Sequence, residues 1–595
     1  MFSRTNKLRW RRRVKRSKHQ AQELSQQAEK GLDKHLFRRL DHIVGVRRFI
    51  LGWILLLVLL SGGVIAQMRG LSRFYQNLAP APGGTYTEGV IGAFTNANPL
   101  YATGPVDATV SRLVFTGLMQ YDSNNQLVGD IAYKLEANPQ ASVYTARLRE
   151  NVYWQDGRPV TADDVVFTFQ TIQNPDAKSP LLPNWQNIKI EARDPYTVVF
   201  TLPHGLASFP HSLTSGLVPK HLLEGVPASS LRSSSFNTVN PVGSGPFKWE
   251  AVQVVGSTPE TREEQVGLVK NEKFYQGEPM LDRFVVRAFR NEESLTDALV
   301  RREVTAAAGL DAMPPELKGD NNINEYSVPL MGEVMVFLRN TSPILSDTNV
   351  RKALTKATDT NAIIAGLGYP VIKADSLLLR SHIGYDKTLV QDGFNPDEAK
   401  QMLDAAGWNN IGADGIRTKG DQKLQIQLYS KSNGQYAYVT SMLQKQWRDV
   451  GVRVEVLLQP DEELQSTIAF HNYDALLYGI ALGSDPDIYA YWHSSQADPA
   501  SQQRLNFAEY KAGAVDAGLE GGRSRVDPTL RATKYRPMLD QWRKDAPAIA
   551  LYQPRFLYIT TDTVYGFDPT RFNSPVDRFA NVQNWAIREQ RVTIE

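Results

Sequence analysis

The stretch VYTARLRENVYWQDGRPVTADDVVFTFQTI, residues 143–172, decides how the rest of the chain is read. Tyr144, Ala146 and Leu148 alternate with Val143, Thr145 and Arg147, the period of a β-strand. Asp156-Gly157 is a turn dipeptide, because glycine reaches positive φ without steric cost. Thr161 stands where a helix N-cap belongs, and Asp164, three residues on, can reach back to its backbone N–H. Val165, Phe169 and Ile172 then fall on one face at helical spacing. The stretch is therefore a strand, a tight turn and a capped helix, a building block of an α/β protein.

Similar units extend outward. Upstream, Asn98-Pro99-Leu100 is a loop, and residues 110–119 are expected to form an apolar helix. Downstream, residues 187–202 alternate on both sides of Asp194-Pro195, a hairpin signal. In PVGSGPF, residues 241–247, Gly243 and Gly245 allow a backbone approach that side chains would block. Asp347 can cap a helix whose apolar face holds Val350, Leu354 and Ala357. Asn395-Pro396-Asp397-Glu398 combines a capping Asn, a first-turn Pro and a capping-box Glu, and Gly407 ends that helix. A strand at 424–428, a helix faced by Tyr436, Val439, Leu443 and Trp447, and a strand through Val452, Val454 and Val456 make a βαβ unit. Such a unit pairs its strands in parallel.

The residue order adds a likeness. L-R-x-x-V-x-W-x-D-G-x-P-x-T-A-D-D-V-x-F-T closely resembles the signature segment of extracellular solute-binding proteins serving peptide-type ABC importers, the dipeptide-, oligopeptide- and nickel-binding family 5. Further landmarks follow in family order: N-P-L with S-R-x-x-F-x-G-L-x-x-x-D, then PVGSGPF, then P-D-E-A-K-x-x-L-x-x-A-G-W. The resemblance spans nearly all of residues 83–595. It implies an α/β, two-lobed periplasmic-binding-protein-like fold of type II, the large peptide-binding class, with a hinge and an interlobe cleft. Ligand would bind in the cleft and close the lobes by hinge bending.

Composition places this body outside a membrane. The 595 residues carry a net charge of +3 and no cysteine, which excludes disulfides, thiolate metal sites and a lipidated cysteine anchor. The charge is unevenly spread, with +11 in residues 1–48 and −8 in the remainder. FILGWILLLVLLSGGVIA, residues 49–66, has no charged residue and meets the lower length limit of a spanning helix. Arg47 and Arg48 flank its start, so the positive-inside rule puts residues 1–48 in the cytoplasm. A basic segment of 48 residues is too long for the n-region of a cleaved signal peptide, which favours an uncleaved anchor. The run RWRRRVKRSK, residues 9–18, suits topology, anionic headgroups or RNA, and solvated topology marking is the simplest reading. A short amphipathic helix is expected over residues 20–40.

The expected organisation is a basic cytoplasmic tail at 1–48, an anchor at 49–66 and a linker at 67–82. The first lobe covers 83–312, with a subdomain at about 111–185; the second covers 313–555; and 556–595 return to the first.

Enzyme motifs are missing. The body's histidines, His204, His211, His221, His382, His471 and His493, form no H-E-x-x-H, and neither G-x-S-x-G nor a Walker-type G-x-x-x-x-G-K-[ST] occurs. No catalytic residue, metal or cofactor is expected. The informative segment for binding is YDALLYGIALGSDPDIYAYW, residues 473–492. By the resemblance, this strand, with Tyr478 and Ile480, pairs with a ligand backbone. In relatives an aspartate four positions before the proline of the D/E-P pair holds the ligand's α-ammonium group. Here Pro486 is that proline and Leu482 occupies the position, leaving Asp485 or Asp487 to substitute. Asp107 falls where relatives line the cavity with an acidic residue, and equally where a helix is capped. Trp154, Tyr489 and Trp492 suit stacking on a ligand or packing in a core.

The reading that results is a monomeric receptor of an ABC importer, held in the cell membrane by its N-terminal helix with its body extracellular or periplasmic. Its partners would be a peptide or other small solute, the permease subunits and their cytoplasmic ATPases, with no nucleic acid. The competing readings are a sensing or adhesion protein that reuses the fold, and a receptor for a non-peptide solute such as an oligosaccharide.

Overall fold

The computed structural model describes residues 47–72, 76–256, 263–501, 504–561 and 563–593, with scattered residues between 14 and 30. The helix expected over 20–40 lies mostly outside the described residues, of which 21–23, 25–26 and 30 are helical. Two compact units separate: residues 1–79 with 589–595, and residues 80–588. In the first, helix α1 (Arg47–Ser72) runs on beyond residue 66. Its span of residues 47–69 has a mean hydropathy of 2.6, and its apolar side chains are exposed, which is compatible with a membrane segment.

The second unit opens with β1 (Thr85–Ile91) and α2 (Pro105–Val114). Helix α2 begins five residues before the expected 110–119, because Pro105 supplies a preorganised first turn. The chain is already extended at Phe115, and Met119 belongs to a short strand. Next come β2 (Ala132–Ala137), β3 (Val143–Leu148), α3 (Ala162–Gln173), β4 (Lys189–Asp194) and β5 (Thr197–Thr201). The opening stretch folds as its pattern dictates. Tyr144, Ala146 and Leu148 are buried, Gly157 takes φ +94°, and Asp164 Oδ2 accepts from the Thr161 N–H at 2.9 Å. Strands β2 to β5 form a four-stranded antiparallel sheet in the order β2-β3-β5-β4.

A seven-stranded sheet is assembled from distant parts of the chain. It uses β1, β6 (Phe247–Val255), β7 (Glu263–Lys270), β8 (Arg283–Phe289), β9 (Ala306–Ala308) and β10 (Asn324–Pro329). Beyond β10 lie β11 (Gly332–Leu338), α4 (Thr348–Ala357), α5 (Pro396–Ala405), β12 (Gln425–Lys431), α6 (Gly434–Arg448), β13 (Arg453–Gln459) and β14 (Ala475–Ala481). Helices α7 (Gly513–Arg523) and α8 (Pro528–Asp545) lead to β15 (Ala548–Tyr552) and β16 (Arg555–Thr560). Strand β16 returns to the larger sheet, ordered β10-β16-β9-β1-β8-β7-β6. The other sheet is β13-β12-β14-β11-β15 and holds the expected parallel β12/β13 pair.

One apolar cluster lies under the larger sheet and the four-stranded sheet, with Tyr86, Phe169 and Trp585 fully buried. Two others sandwich the five-stranded sheet, because alternate residues of β11 face opposite ways. Val334 and Val336 join one, and Met335 and Phe337 the other. The chain crosses between the two lobes at 330–331 and 553–554, where the Leu330 N–H donates to the Pro554 carbonyl at 2.9 Å. Gly243 is required where the backbone passes Val114, since a Cβ there would strike the Val114 carbonyl.

Candidate functional site

Strand β14 ends beside the crossover. The N–H groups of Leu482 and Gly483 both donate to the Met331 carbonyl at 2.9 Å, fixing the segment that follows. Gly483 turns the chain with φ +72°. Its carbonyl accepts from His382 Nε2 at 2.8 Å, while His382 Nδ1 accepts from the Leu379 N–H at 3.3 Å. A carbonyl can only accept, so Nε2 carries the proton. Burial pushes the His382 pKa down to about 4, keeping the ring neutral.

Beyond this turn lies a cavity of about 760 Å³. One wall is formed by Tyr121 and the segment after β5, including Ser208 and His211; the other by residues 482–490 and Arg523 at the end of α7. The walls belong to different apolar clusters, so the cavity lies between the lobes. Its volume falls within the range of small-ligand sites.

The charged groups of the cavity are paired within the protein. Asp485 accepts from Arg531 through both oxygens, at 2.7 and 2.6 Å, a bidentate arrangement. Asp487 Oδ2 accepts from Ser208 Oγ at 2.6 Å and from Arg523 Nη2 at 3.0 Å. The first of these bonds crosses from one wall to the other. The Ala207 N–H adds a second crossing, donating to the Arg523 carbonyl at 2.6 Å. The Arg523 guanidinium lies 4.1 Å from the centroid of the Tyr489 ring, which stacks on His493 at 4.1 Å. His211 stacks on Tyr121, and its Nδ1 meets the Tyr121 hydroxyl at 2.5 Å. Burial lowers the His211 pKa and raises that of Tyr121 to about 12, so both are neutral near pH 7. Asp487 Oδ1 is buried and has no hydrogen-bond partner among the described residues.

Of the residues singled out in the sequence, Leu482, Asp485, Asp487 and Tyr489 line the cavity. Tyr478 and Ile480 lie on β14, which leads into it; the Tyr478 hydroxyl accepts from Gln465 Nε2 at 3.0 Å, and Ile480 is buried. Trp154 is buried and donates from Nε1 to Asp164 at 3.3 Å, bracing the start of α3. Trp492 is buried between Phe337 and Trp542. Asp107, in the first turn of α2, accepts from the Thr95 and Asn96 N–H groups at 2.7 and 3.1 Å and from Thr95 Oγ1 at 2.5 Å. Those bonds tie the loop after β1 to the helix, and Asp107 is not in the cavity wall. Tyr121, Ser208, His211 and Arg523 were not anticipated. They sit in a three-residue strand, in and before a single helical turn, and at a helix end, where no local pattern marks them.

Among the described residues no group of His, Asp or Glu side chains could hold a metal ion. Two lobes joined by crossing segments, with a polar cavity between them, define a solute-binding receptor of the periplasmic type. The profile of the bacterial extracellular solute-binding proteins, family 5 Middle, matches residues 126–502, and the chain belongs to that family. It is 24% identical over 516 residues to the oligopeptide-binding protein AppA of Bacillus subtilis, covering 85% of this chain and 92% of that one. It is 25% identical over 504 residues to the probable D,D-dipeptide-binding periplasmic protein DdpA of Escherichia coli, covering 80% and 89%. Among solved structures, NikZ from Campylobacter jejuni in complex with Ni(L-His) superposes with a TM-score of 0.71 at 26% identity, covering 84% of this chain and 99% of that one. CtaP from Listeria monocytogenes superposes with a TM-score of 0.72 at 24% identity, covering 85% and 99%.

Proposed function

We propose that this chain is the receptor subunit of an ABC importer, capturing a peptide in the cavity between its lobes and passing it to permease subunits driven by cytoplasmic ATPases. The observation that carries the reading is the cavity itself: a polar space of about 760 Å³ whose two walls are joined by Asp487 and Ser208. The names of the relatives AppA and DdpA support a peptide as the ligand class. The chain acts as a monomeric binder and not as an enzyme. Helix α1 anchors it, with residues 1–48 in the cytoplasm and the body outside, a topology supported by the +11 charge of the tail. The lobes correspond to about residues 83–330 with 554–595, and to 331–553; the first boundary falls later than the expected 312 because β10 pairs with β16 in the larger sheet.

Capture by hinge closure requires ligand to favour the closed arrangement by differential affinity. Small-angle scattering of the full chain in detergent, with and without a saturating synthetic pentapeptide pool, tests this. A smaller radius of gyration with peptide is expected, and an unchanged profile at saturation contradicts it.

A further inference from the structure

The cavity has no spare charge. Its wall carries Asp485, Asp487 and Arg523, and Arg531 lies directly behind Asp485. Two carboxylates therefore face two guanidinium groups, and His211 is held neutral by burial. The other polar groups facing the space are hydroxyls and amides, such as Ser212, Ser484, Asn184 and Gln496. A ligand ammonium group entering here would leave water without meeting an unpaired carboxylate, and a buried charge without a counter-charge is strongly disfavoured. A neutral N–H faces no such penalty.

We propose that the cavity selects peptides whose α-amino group is blocked, because every carboxylate in its wall is already matched by a guanidinium. This rests on the receptor reading above. Leu482 completes the arrangement by offering apolar surface beside the two aspartates.

The test is affinity selection by the full chain in detergent. The probe is a lysine-free synthetic pentapeptide pool, half free-amine and half N-acetylated, with retained peptides counted by mass spectrometry. The expected result is about tenfold enrichment of the acetylated half. Asp487→Asn, which leaves the Arg523 guanidinium without its carboxylate, should raise the enrichment of the acetylated half further. Leu482→Asp, which adds a carboxylate without a matching arginine, should shift the preference toward free amines. Equal retention of the two halves, or preference for free amines by the unaltered chain, overturns the proposal even where a variant fails to fold. Retention of neither half contradicts the receptor reading itself.

Discussion

Each large sheet contains a fully buried glutamate, and the two are treated in opposite ways. Glu88 on β1 accepts from Arg578 Nη2 at 2.5 Å through Oε1, and from the Tyr558 hydroxyl at 2.6 Å through Oε2. Tyr558 in turn meets the Tyr86 hydroxyl at 2.6 Å, and Arg578 also donates to Thr109 Oγ1 at 3.0 Å. Glu333 on β11 is equally inaccessible, yet neither oxygen has a hydrogen-bond partner among the described residues. Its charged neighbour is Asp375, whose own carboxylate is taken up by Arg380 and Tyr385 at 2.7 and 2.9 Å. Burial first, and then Asp375, hold the Glu333 pKa well above the carboxylate range. One site is a closed ionic network that ties the first strand to the chain's return; the other is a neutral acid two residues past Met331, at the crossover between lobes.

The largest expected effect falls on the paired site. Glu88→Leu strands the Arg578 guanidinium in the core and should cost about 3–5 kcal/mol in urea unfolding, whereas Glu88→Leu with Arg578→Leu should recover much of that loss. An equal loss in the double variant would show that the network contributes more than the avoidance of an unpaired charge.

The next effect is in pH. The folded state keeps the Glu333 proton while the unfolded chain releases it near its ordinary 4.5. The resulting stability is complete below that value and is lost as pH rises toward the folded pKa, at about 1.4 kcal/mol per pH unit. Glu333→Gln should remove this part of the slope, measured by urea midpoints across acid to neutral pH. An unchanged slope would mean that Glu333 is not the group responsible. The smallest effect is Glu333→Leu, expected to be neutral or stabilising by about 1–2 kcal/mol because it removes two unsatisfied oxygens. A destabilisation matching that of Glu88→Leu would erase the contrast between the two sites.

This contrast also marks what a sequence can reveal. The local units were legible, since strand alternation, capping and turn chemistry act within a few residues. Asp164, Asp347 and Asn395 all accept from their helix starts as their spacing indicates. Helix α2 was misjudged because the apolar run 110–119 outweighed the start signal of Pro105. The pairs that define the cavity and the cores were not legible. Ser208 and Asp487 are 279 residues apart, Glu88 and Arg578 490 apart, and no periodicity connects them. In the sequence Asp485 and Asp487 read as equivalent neighbours. Arg531, on the next helix but one, occupies both oxygens of the first and neither of the second.

The central claim is that solute is held in the cavity lined by Ser208, Ser484 and Asp487. Ser484 lines that space, so Ser484→Trp should fill it without touching the buried clusters. Retention of the pentapeptide pool by the full chain, read by mass spectrometry against the unaltered protein, tests the claim directly. The account predicts a loss of about tenfold or more with an unchanged unfolding midpoint. Undiminished retention by a folded Ser484→Trp chain would place the captured solute elsewhere.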